Sequence, residues 1–482
     1  MRSKLNRVWM PALALGLMAA SGCKVGPNYK APAMPAPPAY SDNGHNGDWA
    51  AAKPADGADR GAWWAVYQDA ELSQLEEQCA KANQNIEAAL HAYEQAHDVV
   101  RENRASLFPT VSIGGTASRN RISNTTPLRP PGSSADYWEF LIPLNISWEP
   151  DLWGGVRRQI ESSAANAQAS AANLANTRLS LQGMLAVTYF QLRGLDLQAQ
   201  LLRSTIDAYT QALQLTQARL SGGLASEIDV DEAQTQLQDA RAQLIDVGVQ
   251  RAAYEHAIAV LVGVPATNYH IADRALSGDP PVIPTGVPSE LLERRPDIAA
   301  AERGVAATNA LIGVAKSAYY PNVTLGASGG VESDLVSQVF NAGSAQWSAG
   351  PSVSETIFDA GRRKAQVDYA VAERAQATAL YRQQVLSAFR DVEDQLSALR
   401  VLEQEAVAQQ LAVDAAKRST ALSQLRYKRG LAAYLEVLTN QTTELNAERA
   451  SASLVARRIV ASAQLQMALG GGWSTAQIPA NP

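Results

Sequence analysis

Leu107-Phe108-Pro109-Thr110-Val111-Ser112-Ile113-Gly114 returns further along the chain as Tyr319-Tyr320-Pro321-Asn322-Val323-Thr324-Leu325-Gly326, and this recurrence decides how the chain is read. Two further pairs follow in the same order. Leu152-Trp153 before Arg157-Arg158 matches Ile357-Phe358 before Arg362-Arg363, and Arg219-Leu220-Ser221-Gly222-Gly223-Leu224-Ala225 matches Arg426-Tyr427-Lys428-Arg429-Gly430-Leu431-Ala432. The offsets, about 205 to 212 residues, are far longer than a solenoid unit, so each copy is a whole structural half.

Each half orders its elements as helix, two strands, very long helix, turn, helix. The first helix is expected from Leu72, Leu75 and Glu76 to Leu107, where Phe108-Pro109 ends it. Strands are expected from about Thr110 to Arg119 and from Tyr137 to Trp148, joined by a Pro- and Ser-rich loop. Trp138, Phe140, Ile142, Leu144, Ile146 and Trp148 share one face, with Glu139, Asn145 and Ser147 on the other and Leu141 and Pro143 as exceptions. Ten such residues, tilted, cover about 25 Å, the height of an outer-membrane apolar band with an aromatic at each rim. The same alternation also fits a strand half-buried in a soluble sheet. Trp347, Ala349, Pro351 and Val353 repeat it more weakly in the second half.

Val156 to Leu220 contains no proline and carries Leu185, Leu192, Ala199, Ile206, Leu213 and Leu220 alternating with Leu181, Thr188, Leu195, Leu202, Tyr209 and Thr216 at heptad spacing. At 1.5 Å per residue such a helix reaches about 100 Å, more than a globular domain needs. The second half repeats it from Arg362 to Arg429, with Val385, Phe389, Val392, Leu396 and Leu399 in the seam. Gly222-Gly223 and Gly430 mark the ends, each followed by a new amphipathic helix, giving two hairpins whose tips lie far from the strands.

Four strands per chain cannot close a membrane barrel, because an open edge in lipid leaves backbone groups unpaired. If the strands span the membrane, copies must associate. A dimer supplies eight strands and a trimer twelve, and only the larger leaves an open lumen for sizeable cargo.

Composition agrees with a helix-rich chain: 46% hydrophobic and only 6% aromatic. The formal charge is −6, and removing the first 22 residues takes away Arg2, Lys4 and Arg7 and no acid, leaving −9, which argues against nucleic acid as a partner. Residues 1–22 have the layout of a secretory signal, with an apolar run from Val8 to Ala20 too short to span a bilayer. Cys23 directly follows Ala20-Ser21-Gly22, resembling a bacterial lipobox whose cysteine is lipidated and becomes the mature N-terminus. Lys24 follows where an Asp favours retention in the inner membrane, so the resemblance implies outer-membrane sorting. Cys79 is then the sole remaining cysteine, expected to be a small buried apolar side chain. The Pro-, Ala-, Gly- and Asn-rich stretch 26–54 reads as an extended tether or surface wrap.

The chain resembles the TolC-like outer membrane efflux proteins, specifically the NodT-type lipoprotein branch serving resistance-nodulation-division pumps. The resemblance is carried by Gly22-Cys23-Lys24-Val25-Gly26-Pro27-Asn28-Tyr29, by Trp63-Trp64 with Asp69 and Leu72, and by Trp148-Glu149-Pro150-Asp151-Leu152-Trp153-Gly154. It continues in Leu291-Leu292-Glu293-Arg294-Arg295-Pro296-Asp297-Ile298, read physically as a helix start, and in Ala318-Tyr319-Tyr320-Pro321. It implies a mainly α chain with a β-barrel portion: four transmembrane strands per chain in a trimeric twelve-stranded barrel, continued by a periplasmic α-barrel of long coiled-coil helices. The segments are then a signal peptide (1–22), a lipidated N-terminus and linker (23–62), two repeats (63–272 and 273–472) and a tail (473–482).

The resemblance also implies a cell-outer-membrane channel, passively conducting drugs and other small toxic compounds, with diacylglycerol and an N-acyl palmitate on Cys23 and no other cofactor. Its implied partners are two further copies, a periplasmic membrane-fusion adaptor and an inner-membrane pump. The adaptor contacts would fall on the tips, at Arg219, Gly222, Gly223, Leu224, Arg426, Gly430 and Leu431. The periplasmic aperture would fall on Asp229, Tyr427 and Glu436, with Asp229 paired to Tyr427. Thr439 stands where a second acid is expected, so the double acidic ring lacks a member, and Ala432 stands where some relatives complete the lock with Arg, so the lock is incomplete here. On the residues alone, Asp229 and Glu436 also read as solvated charges near helix starts.

No enzyme motif competes. Gly326-Ala327-Ser328-Gly329-Gly330 fits a nucleophile elbow in letters but lies in a repeated hairpin strand. His91 and His97 are six apart, on different faces of a helix, and no Gly-rich phosphate loop follows a strand. A duct for type I protein secretion and a non-conducting periplasm-spanning structural lipoprotein remain as alternatives.

Overall fold

The computed structural model describes residues 24–34, 40, 62–123, 136–276, 278–283, 294–473 and 477–479. The signal segment 1–22, Cys23, the hairpin loop 124–135 and residues 291–293 lie outside the described residues. After a short 3-10 turn at Trp63–Tyr67 come α1 (Ala70–Ala82) and α2 (Gln84–Ala105), then β1 (Thr110–Ile113), β2 (Thr116–Arg121) and β3 (Asp136–Trp148). The hairpin α3 (Gly155–Ser221) and α4 (Glu227–Leu261) completes the first half. The second half is α5 (Pro296–Ser317), β4 (Asn322–Ser333), β5 (Ala345–Ser354), α6 (Arg362–Lys428) and α7 (Tyr434–Ala468).

The expected single helix from Leu72 to Leu107 is instead two. Asn83 breaks it because an N-cap must leave helical φ/ψ: it sits at φ −73, ψ 121, and its side-chain oxygen accepts the Asn85 and Ile86 N–H groups. The expected first strand is likewise interrupted at Gly114-Gly115, where β1 and β2 continue one strand line along β3.

The duplication is visible in the geometry. Both long helices have 67 residues and both return helices 35, and their N-terminal caps Gly154 and Gly361 stand 207 residues apart. The helices α2 and α5, with 22 residues each, stand 212 apart. These offsets correct one sequence match: Trp153 corresponds to Ala360, and Ile357-Phe358 lie two residues out of step. Trp153 stacks on Tyr320 and donates to the Pro321 carbonyl, whereas Ile357 and Phe358 are 93% and 85% exposed.

All strands form one antiparallel sheet in the order β1/β2-β3-β4-β5. β3 pairs β4 from Phe140 opposite Ser333 to Trp148 opposite Leu325, joining the two halves. The helical core runs along the inner faces of the long helices, where Leu185, Leu192, Leu202, Val385 and Val392 are fully buried. Cys79 is fully buried as expected, and the Cys79 thiol is pushed up to about 12 by burial and the neighbouring Glu76 carboxyl.

Candidate functional site: hairpin tips, sheet edges and the N-terminal strap

Both tips are built alike. Each long helix closes with paired backbone bonds: Leu224 N–H to the Arg219 carbonyl and Gly223 N–H to Leu220 in the first, Leu431 to Arg426 and Gly430 to Tyr427 in the second. This closure needs a left-handed residue, supplied by Gly223 (φ 71) and Gly430 (φ 73). Gly222, at φ −85, does not share that role. Leu224 and Leu431 are left about two-thirds exposed at the extremity, one per tip.

Side-chain partners then break the symmetry, and one residue explains it. Ser226 caps α4 through its hydroxyl, and Asp229 reaches back to the Ser226 N–H at 2.8 Å, a capping box. The corresponding cap of α7 is Ala433, which has no hydroxyl, so Glu436, the counterpart of Asp229, is free to pair with Arg426 at 2.9 Å. Arg219, the counterpart of Arg426, finds its own carboxylate occupied. It crosses to the other hairpin, donating to the Lys428 carbonyl at 3.3 Å and lying 4.6 Å from the Tyr427 ring centroid.

Of the expected aperture residues, Tyr427 is buried beside Tyr434 with an edge-on ring contact of 5.4 Å, and its hydroxyl has no hydrogen-bond partner among the described residues. Among the described residues the Tyr427 hydroxyl makes no hydrogen bond to Asp229, one of whose carboxylate oxygens caps α4. The Thr439 hydroxyl donates to the Leu435 carbonyl of its own helix.

Among the described residues the sheet has two unpaired edges, β1/β2 and β5. Along β3, Leu144 and Ile146 are exposed, as are Val111, Ile113, Trp347 and Val353 on the edge strands. In lipid an open backbone edge is not tolerated, and in water an edge beside an apolar face is a template for pairing with another chain.

A third feature is a strap at residues 25–29, the start of the stretch expected to run extended as a tether or surface wrap; its partners were not legible beforehand. Buried Arg158 binds the Val25 and Gly26 carbonyls and the Asn28 side chain, and Asn309 donates to the Pro27 carbonyl. Tyr29 donates to Glu302, and Val25 N–H to the Trp153 carbonyl. The strap thus lies between α3 and α5, next to the foot of β3.

Charge is concentrated elsewhere too. Arg193 and Asp196 on α3 and Arg251 and Glu255 on α4 form a largely buried ion network that reaches the surface at Asp273 in the inter-repeat segment. The Arg-Pro-Asp element makes another. Burial works against its ionised form, but the Arg295 guanidinium, with the Ile298 N–H and Gln384, holds the Asp297 carboxyl below the usual range.

Comparison with known proteins agrees with this geometry. The outer membrane efflux protein family model matches residues 75–264 and 287–471, one segment per half. The chain belongs to the outer membrane efflux protein family. It is 31% identical over 479 residues to the solvent efflux pump outer membrane protein SrpC of Pseudomonas putida, covering 97% of this chain and 99% of that one. The pyoverdine export outer membrane protein OpmQ of P. putida is 31% identical over 415 residues, 85% and 88% of the two chains. Among solved structures, the outer-membrane channel OprN superposes with TM-score 0.83 at 30% identity, covering 94% of this chain and all of that one. The open state of the Neisseria gonorrhoeae MtrE channel superposes with TM-score 0.79 at 26% identity, covering 94% and 99%. This member is accordingly an outer-membrane channel component of an efflux system, with a periplasmic extension, and not an enzyme.

Proposed function

We propose that three copies close a twelve-stranded barrel and a helical tunnel, and that this duct passes solvents, antibiotics and similar small organic compounds outward. The observation that carries the trimer is the pair of unpaired sheet edges flanking apolar strands, which only other copies can satisfy in lipid. Three copies of four strand lines give twelve, enough for a lumen. The cargo class is supported by relatives named for solvent, toluene and antibiotic efflux.

Cys23 carries the lipid in this reading. The strap begins two residues later and is pinned beside the foot of β3, so an acyl chain on Cys23 would enter the bilayer where the barrel leaves it. Energy comes from an inner-membrane pump reached through a periplasmic adaptor, which docks on the tips around Leu224, Leu431 and their arginines. Asp229, Tyr427 and Glu436, through the Ser226 cap, Arg219 and Arg426, hold the periplasmic end narrow. The MtrE relative solved in an open state supports a tip that changes width.

A deletion strain tests the cargo. It should become more sensitive to toluene, dyes and several antibiotics, with secreted proteins unchanged. Lost protein secretion with unchanged sensitivity would favour the type I secretion duct instead.

A further inference from the structure

We infer that the outer rim of the first strand pair is a binding site for the phosphorylated glycolipid of the outer leaflet, with Arg119 and Arg121 holding its phosphates and the apolar face beneath them its acyl chains. The inference rests on the reading above in which these strands cross the outer membrane.

Strand register separates the two faces. On one, Ser118 and Asn120 of β2 both donate to the Glu139 carboxylate of β3, at 3.3 and 2.8 Å, a polar layer that belongs on the lumen side. The residues between them point the other way: Ala117 lies opposite Phe140, Arg119 opposite Trp138 and Arg121 opposite Asp136. The rings of Trp138 and Phe140 stack at 5.9 Å, and the Arg119 guanidinium lies 6.0 Å from the Trp138 ring centroid. Along β3 this face is uncharged from Trp148 through Ile146, Leu144, Ile142 and Phe140, and charge begins only at the far aromatic rim. Trp148 leads into α3, so the helices leave on the periplasmic side and the two arginines stand at the external one.

Their charge is not used up by the protein. Among the described residues Arg119 makes no ion pair, and Arg121 reaches Asp136 only at 3.8 Å, with its side chain 70% exposed. The other open edge, β5, contains no acid, and neither do the connecting residues 124–135. Nor does the fold require arginine there. At the matching place in the second half, offset by 212 residues on one strand and 207 on the other, Val331 lies opposite Ala345, so the site occurs once per chain. An arginine laid over an aromatic ring at the membrane rim turns its planar fork toward the headgroups, a geometry that binds phosphate through two N–H groups at once. A phosphate monoester, carrying close to two negative charges, answers this better than the single charge of a phosphodiester, which in a zwitterionic lipid is already met by its own ammonium. The outer leaflet supplies such monoesters on a glycolipid, whose acyl chains then lie along Phe140, Ile142 and Leu144.

Titration of the purified, full-length protein with bis-phosphorylated lipid A, followed by native mass spectrometry, tests this. Wild type should bind it, and Arg119→Gln and Arg121→Gln should each weaken binding about fivefold, the contribution of one basic side chain beside an anionic lipid. Arg101→Gln, on the exposed face of periplasmic α2, should leave binding unchanged. Dephosphorylated lipid A and phosphatidylglycerol should bind more weakly than the bis-phosphorylated form, and inorganic phosphate should not displace it. Variants that still insert and conduct in planar bilayers establish that the barrel is folded. Given that conductance, undiminished binding by the double Gln variant, an equal loss in Arg101→Gln, or equal binding of dephosphorylated lipid A overturns the site and leaves the duct standing. Equal binding of phosphatidylglycerol, or displacement by inorganic phosphate, overturns the assignment to a glycolipid. Absent conductance in the unsubstituted protein would instead count against the duct itself.

Discussion

The Asn83 side chain donates to the main-chain carbonyl of Leu261 at 2.8 Å, at the end of α4. The second half repeats the bond with a different residue: Arg295 donates to the Ala468 carbonyl at 3.2 Å, at the end of α7. Each ties the start of a short helix to the last turn of a return helix, where carbonyls lack intrahelical partners. Asn83→Ala removes a buried cap and this tie together, so a loss of about 1–2 kcal/mol is expected in thermal unfolding. Arg295→Ala should cost more, about 3–5 kcal/mol, because it strands Asp297 and Asp391 partly buried without their cation. Equal, small losses for both variants would show the tie to be incidental.

Glu76 gives a pH-dependent prediction. It is fully buried, neither carboxyl oxygen has a hydrogen-bond partner among the described residues, and burial pushes it from 4.5 up to about 9. The folded chain therefore holds a proton that the unfolded chain releases above pH 4.5. The contribution of Glu76 to stability is therefore greatest below that value and falls as pH rises toward 9, by about 1.4 kcal/mol per unit. Glu76→Leu should flatten this slope and raise the unfolding temperature at pH 8. An unchanged slope between pH 5 and 9 would contradict a protonated Glu76.

The tip partners can be exchanged. Ser226→Ala should free Asp229 to draw Arg219 into its own hairpin, as Glu436 holds Arg426, and release the ring of Tyr427. The loss of the cap costs about 1 kcal/mol of local helix stability. Single-channel recording should show a higher open fraction than for Ser226→Thr, which keeps a capping hydroxyl. Identical open fractions would mean that the two hairpins are not coupled through Arg219.

Much of this architecture was legible in the sequence. The long helices were placed to within about a residue because an unbroken heptad pattern ended at Gly222-Gly223 and Gly430 has few other readings. The break at Asn83 was not legible, since a cap on one helix and a tie to Leu261, far along the chain, are a tertiary choice. Nor were the tip partners. Arg219 and Arg426 occupy matching positions, and what separates them is whether the residue capping the next helix is Ser226 or Ala433. Arg158 and Arg193 each pair with an acid three residues on, Glu161 and Asp196, which in the sequence reads as an ordinary solvated helix pair; the groups that make these sites special, the Val25 and Gly26 carbonyls and Arg251, come from distant segments. The slip of the Ile357-Phe358 match shows the opposite failure, a local likeness overruled by where Gly361 starts the helix.

Conductance of the purified, full-length protein in planar bilayers bears most directly on a gated outer-membrane duct. Wild type should insert in discrete steps of small conductance. Arg219→Ala combined with Glu436→Ala, which removes the cross-hairpin contact and the Arg426 pair, should increase it severalfold without changing the oligomer. Insertion of the oligomer with no conductance in either protein would contradict a duct, and equal conductance in both would contradict the tip as its gate.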